Sequence, residues 1–149
     1  METLIGGCFC GKIRYRADAP KTLHYLCHCT HCQHYSGSAH HAAIVVAAED
    51  LVVDGTPRIY TTTADSGRAI ARHFCADCGG HLFTSPWPEA TRYSIKAGTL
   101  DDRSLYRPTD QIWEQSRPDW LDDERDAHAQ GFPVPVAIGN ANDPEQDKF

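Results

Sequence analysis

Three cysteines, Cys27, Cys29 and Cys32, lie within six residues of the stretch YLCHCTHCQHYSG, and four more form two flanking pairs, Cys8/Cys10 and Cys75/Cys78. Closely spaced thiolates are soft ligands suited to zinc. Four of them close a tetrahedral site, whereas three leave one position for an exchangeable ligand, which is where zinc chemistry takes place. Seven is an odd number, so a complete disulfide framework cannot account for them all. Two zinc ions per chain are therefore expected, one closed in and one open, with the chemistry at the open one. The simplest partition gives Cys8, Cys10, Cys75 and Cys78 to a structural zinc and Cys27, Cys29 and Cys32 to a catalytic zinc. Spacing alone also allows Cys27/Cys29 to join Cys75/Cys78, leaving Cys32 with the first pair. Five histidines surround the cysteine triad. His28 and His31 sit between ligands and are expected to point away, whereas His34, His40 or His41 could reach back through Gly37 and fill the open position. A redox Cys-x-x-Cys is the rival for Cys75/Cys78, but it expects a helix N-terminus, and no helical pattern follows Cys78.

The elements that must position these sulfurs read mainly as strands. Residues 6–16 (GGCFCGKIRYR) alternate Ile13 and Tyr15 with charged residues, the period of a half-buried strand that would put Cys8 and Cys10 on one face. Residues 18–22 look like a turn, and residues 24–27 form a short strand entering the triad. Residues 40–47 (HHAAIVVA) are β-branched and strand-like. Residues 50–55 and 58–63 are expected to form a hairpin bending at Gly55-Thr56-Pro57. Residues 69–74 lead as a strand into Cys75, residues 81–85 leave Cys78 as the next, and residues 92–97 (RYSIKA) alternate with Tyr93 and Ile95 inward. Residues 111–113 are a short extended piece. Trp113 and Trp120 are expected either to pack on the core rim or to wall a pocket. No amphipathic helix stands out, so the class is mainly β.

A chain of 149 residues suffices for one domain with a real core. Residues 1–118 hold twelve acidic and twelve basic residues, so the net charge of −6 comes from residues 119–149. A neutral body with an acidic tail lacks the basic face that nucleic-acid binding needs. No apolar run approaches the roughly 18 residues of a membrane span, and the N-terminus lacks a signal-peptide pattern, so a reducing cytoplasmic setting is the expectation. From residue 122 onward periodicity is lost, which suggests a domain over residues 1–121 followed by an acidic arm or tail over 122–149.

The segments GGCFCGKIRY, CHCTHCQHYSG, HFCADCGGHLF, IKAGTLDD and IWEQSRPDWL occur in order over residues 4–121 and together resemble the glutathione-dependent formaldehyde-activating enzyme family, also called the centromere-protein-V-like domain. The resemblance implies an Mss4-like β-tent of antiparallel strands. It implies the first partition too, with a structural zinc on Cys8, Cys10, Cys75 and Cys78 and a catalytic zinc on Cys27, Cys29 and Cys32. The implied activity is that of a carbon–sulfur lyase, which adds glutathione or another small thiol to formaldehyde or a related aldehyde to give S-(hydroxymethyl)glutathione or its analogue. Many family members carry a basic residue after the third cysteine of the triad, where a glutathione carboxylate could pair with it; here those positions hold Gln33 and His34. The alternative in a different class is a non-catalytic, zinc-stabilised binding module of the same fold.

Overall fold

In the computed structural model, residues 2–19 and 22–121 are described. The chain divides into two compact units, Met1–Arg117 and Pro118–Phe149. The first is built from two sheets, the smaller antiparallel and the larger mostly so. The smaller sheet holds β1 (Glu2–Gly7), β2 (Arg14–Ala19) and β5 (Leu51–Asp54) in the order β1-β2-β5. The larger holds β3 (His24–Cys27), β4 (His41–Ala47), β6 (Arg58–Thr63), β7 (Ala69–Phe74), β8 (His81–Pro86), β9 (Arg92–Lys96) and β10 (Asp110–Ile112) in the order β10-β3-β4-β9-β8-β7-β6. Its pairings are antiparallel except that β10 runs parallel to β3.

Register explains how one sheet serves two purposes. Ile44 lies opposite Ile95, Ile95 opposite Phe83, and Phe83 opposite His73, so these residues share a face. That face meets Leu4, Tyr15 and Ala17 of the smaller sheet in one buried core. Residues displaced by one position face the other way. Cys27 pairs with His41, Ala43 with Lys96, and Ser94 with Thr84, which pairs in turn with Arg72. A short helix, α1 (Thr30–Ser36), lies against this second face and places Tyr35 on His81, with ring centroids 4.1 Å apart.

Four local expectations differ from the structure. Residues 50–55 and 58–63 do not form a hairpin: β5 pairs with β2 and β6 with β7, so the chain changes sheets at the Gly55–Pro57 bend. A bend between two β-rich runs is compatible with either outcome, and only the partners' buried faces choose between them. Cys8 and Cys10 are not on a strand face but on the turn joining β1 to β2, closed by hydrogen bonds from Cys8 N to Ile13 O and from Gly11 N to Cys8 O. Asp18 and Ala19, expected in a turn, instead complete β2, while residues 20 and 21 lie outside the described residues. Finally, α1 begins within the stretch of the triad and carries Cys32, and its seven residues are too few to announce it by periodicity. Its N-cap is Cys29, whose sulfur accepts from Cys32 N, a role usually taken by Ser, Thr, Asp or Asn. Gly37 ends it in the left-handed conformation at φ 65°, donating to Gln33 O. The acidic arm expected from residue 122 lies outside the described residues.

Candidate metal centres

The turn between β1 and β2 carries Cys8 and Cys10, and the turn between β7 and β8 carries Cys75 and Cys78. The four sulfurs all lie within 4.8 Å of one another. Cys10 Sγ is 3.6 Å from Cys8 Sγ and 3.7 Å from Cys75 Sγ. Zinc–sulfur bonds of about 2.3 Å at tetrahedral angles put sulfurs about 3.8 Å apart, so this donor set fits such an ion. Ile13 N donates to Cys8 Sγ at 3.3 Å. Against the push of burial, the N–H groups of Cys10 and Gly80 bring the Cys78 thiol down to about 6. Cys10, despite the N–H of Lys12, is pushed up to about 11 by desolvation and then by its three sulfur neighbours. Four thiols this close cannot all ionise unaided, and a cation among them removes the conflict.

Cys27 ends β3, Cys29 caps α1 and Cys32 lies in its first turn, and these three sulfurs also fall within 4.8 Å of one another. The contact with Cys27 holds Cys32 well below the ordinary thiol range, burial opposing it and His41 reinforcing it, while the same contact pushes Cys27 up. The quartet and the triad match the simplest partition of the cysteines, and the seven cysteines form no disulfide.

Among the described residues no imidazole joins the triad's cluster. His41 approaches nearest, with Nδ1 3.5 Å from Cys32 Sγ. Burial keeps its pKa below the usual histidine value. A neutral ring with its proton on Nδ1 donates to the sulfur and accepts at Nε2 from Lys96 Nζ, 2.9 Å away. His28 is buried with Nε2 2.9 Å from Gln111 Oε1. His31 pairs with Asp65 at 3.1 Å on the cavity rim. His34 lines a separate surface hollow, and His40 stacks edge-on against His28.

The three sulfurs open into a cavity of about 210 Å³ also walled by His41, Arg72 and Trp113. Trp113 sits in the left-handed region at φ 58°, an uncommon conformation for a bulky residue. A second cavity of about 390 Å³ adjoins, sharing Tyr25, Ser66, Arg68, Ile70 and Thr84 with the first and adding Arg92 and Asp110. Trp113 thus walls a pocket, whereas Trp120 belongs to the second unit and is half exposed.

Sequence reasoning missed Arg72, Lys96 and Tyr35. Arg72 is only 3% exposed, and its guanidinium lies 4.3 Å from the Tyr35 ring centroid. Lys96 Nζ lies 5.7 Å from the same ring and donates to Thr84 Oγ1 at 3.3 Å. A signal was present: AIARHF does not alternate, which marks a strand covered on both faces and hence a buried arginine.

A family profile described as glutathione-dependent formaldehyde-activating enzyme matches residues 3–116. Among solved structures, the crystal structure of a Rhodobacter sphaeroides protein resembles this chain with a TM-score of 0.55 at 17% identity, covering 72% of this chain and 99% of that one. At that identity the likeness speaks to the fold alone.

Proposed function

The chain belongs to the glutathione-dependent formaldehyde-activating enzyme family, and we propose that it joins a small thiol, glutathione, to formaldehyde at the Cys27–Cys29–Cys32 centre, with Cys8, Cys10, Cys75 and Cys78 holding a structural zinc. The observation that carries this reading is a set of three sulfurs, without a fourth protein ligand among the described residues, opening into a cavity. Zinc held by that triad supplies a Lewis-acidic fourth position that favours the thiolate form of an incoming thiol.

The remaining work falls to this chain's own side chains. The thiol sulfur forms a bond to the aldehyde carbon, the carbonyl π bond breaks, and the thiol proton ends on the new hydroxyl oxygen, giving S-(hydroxymethyl)glutathione. Trp113 walls the triad's cavity. His41 and Lys96 keep positive and hydrogen-bonding groups beside Cys32. Arg68 spans both cavities, while Arg92 and Asp110 line the outer one. Glutathione carries two carboxylates and one ammonium, and two arginines and one aspartate are the complementary set. These arginines supply the cations that Gln33 and His34 do not. Orientation of the thiol, more than carbonyl polarisation, is the expected source of acceleration.

The test is exchange spectroscopy at equilibrium, because uncatalysed addition is itself fast. Purified protein should accelerate exchange between free formaldehyde and its glutathione adduct, and Cys32→Ala should return the rate to background. Equal rates with both proteins would refute the reading. Glutathione binding without any acceleration would support the non-catalytic binding module instead.

A further inference from the structure

Arg72, which is buried, and Lys96, which is half-buried, are basic side chains on the site face of the larger sheet, reached through the register Arg72–Thr84–Ser94 and Lys96–Ala43. A buried charge is costly unless something of opposite sign faces it. The ion pairs among the described residues use Lys12, Arg14, Arg16 and His31, and neither Arg72 nor Lys96 appears in them. Arg72 lines the triad's cavity, and Lys96 reaches its wall through His41, which lines that cavity too. The carboxylate on this cavity is Asp65, which is engaged by His31 at 3.1 Å and Thr30 Oγ1 at 3.5 Å. Both cations instead share the ring of Tyr35, at 4.3 and 5.7 Å. Two like charges brought to one ring repel each other. The sulfurs of Cys32, Cys27 and Cys29 are the negative groups that draw on Lys96.

Charge accounting gives this arrangement a purpose. Three thiolates around a divalent ion carry −1; Arg72 brings that to zero, and Lys96 in its protonated form to +1. An anionic fourth ligand brings the centre to neutrality, whereas a neutral ligand leaves a buried positive charge. We propose that Arg72 and Lys96, braced on Tyr35, are specificity-determining residues that make the open position of the Cys27–Cys29–Cys32 centre select an anion, such as a small thiolate, over a neutral ligand. This rests on the metal assignment proposed above but not on aldehyde chemistry. Burial brings Lys96 down to about 7, with Cys32 pulling it up and Arg72 pushing it down. A new negative charge nearby pulls it up again, so the anion favours full charge on its own partner. When a thiol binds, its S–H bond breaks, and the proton goes to the uncharged fraction of Lys96 or to solvent.

The experiment uses full-length protein with cobalt(II) in both centres, titrated separately with azide, glutathione and imidazole and followed by visible absorption. The closed quartet is expected to stay silent. Arg72→Gln and Lys96→Met should each weaken azide and glutathione about tenfold or more, as loss of one charge beside the site demands, and leave imidazole within about twofold. Arg72→Lys should retain most of the anion affinity. The two substitutions lie on different strands, so either one that keeps two metals per chain suffices. Equal losses for azide and imidazole, unchanged azide binding, or no spectral response to any ligand would overturn the proposal. Anion selectivity without exchange activity would defeat the proposed reaction and leave this inference standing, and the reverse result would defeat only the inference.

Discussion

Lys96 shows at the scale of one residue how burial couples chemistry to stability. Its pKa falls from 10.5 to about 7, first through burial. Between those values the unfolded chain binds the extra proton and the folded chain does not, so stability rises with pH from about 7 to 10.5 and is flat below. At its steepest the change approaches about 1.4 kcal/mol per pH unit. Urea unfolding of wild type and Lys96→Met across this window, at constant metal loading, should show the slope in the wild type and lose it in the variant. A difference between the two that does not vary with pH would mean that Lys96 is hydrated. The cysteines were legible from the sequence because thiols gathered at such short spacing, in an odd total, point to a metal rather than to disulfides or core packing. Lys96 was not, although RYSIKA alternates as expected with Ile95 in the core. Alternation assigns Lys96 to the opposite face but says nothing of what covers that face. Here α1 does, and α1 was itself too short to be foreseen.

At the level of elements, strands were legible wherever β-branched or alternating runs end in a turn, as for β3, β4, β7, β8 and β9. Their partners were not, since a period of two reports a buried face without naming the neighbour. The misassigned hairpin at residues 50–63 is that ambiguity realised. Hairpin β1–β2 offers a sharper test of packing between sheet and loop. A Cβ added at Gly6 would sit 2.3 Å from Thr99 O and 2.3 Å from Tyr15 Oη, whereas one at Gly98 meets nothing within 4 Å. Tyr15 cannot withdraw cheaply, because its hydroxyl is held by Thr99 Oγ1 at 2.8 Å and its ring packs edge-on against Phe83. Gly6→Ala should therefore cost about 1–3 kcal/mol, as overpacking does, while Gly98→Ala stays within about 0.5 kcal/mol. Thermal unfolding by circular dichroism should separate the two by several degrees. Equal melting temperatures would show that β1 and the Thr99 turn can move apart freely.

For the first unit as a whole, the two cysteine centres have different mechanical consequences. The triad comes from one contiguous stretch, Cys27 to Cys32, so a metal there closes only a short loop. The quartet joins the β1–β2 turn of the smaller sheet to the β7–β8 turn of the larger, with Cys10 and Cys75 separated by 65 residues. Closing that long loop in the unfolded chain costs more entropy, and a metal held only by the folded state returns the whole of its binding free energy to folding. Such a site contributes on the order of 10 kcal/mol, comparable with the entire stability of a typical domain, about 5–15 kcal/mol. Cys75→Ser should thus abolish cooperative unfolding and lower the metal content of both centres, because α1 and β3 lose the sheet that positions them. Cys32→Ala should keep a cooperative transition and one metal per chain. Elemental analysis alongside denaturant unfolding distinguishes these outcomes. If Cys75→Ser instead retained a cooperative transition and a filled triad, the core formed by Leu4, Tyr15, Ile44, Phe83 and Ile95 would be sufficient to hold the sheets together, and the quartet would be a local staple of two turns.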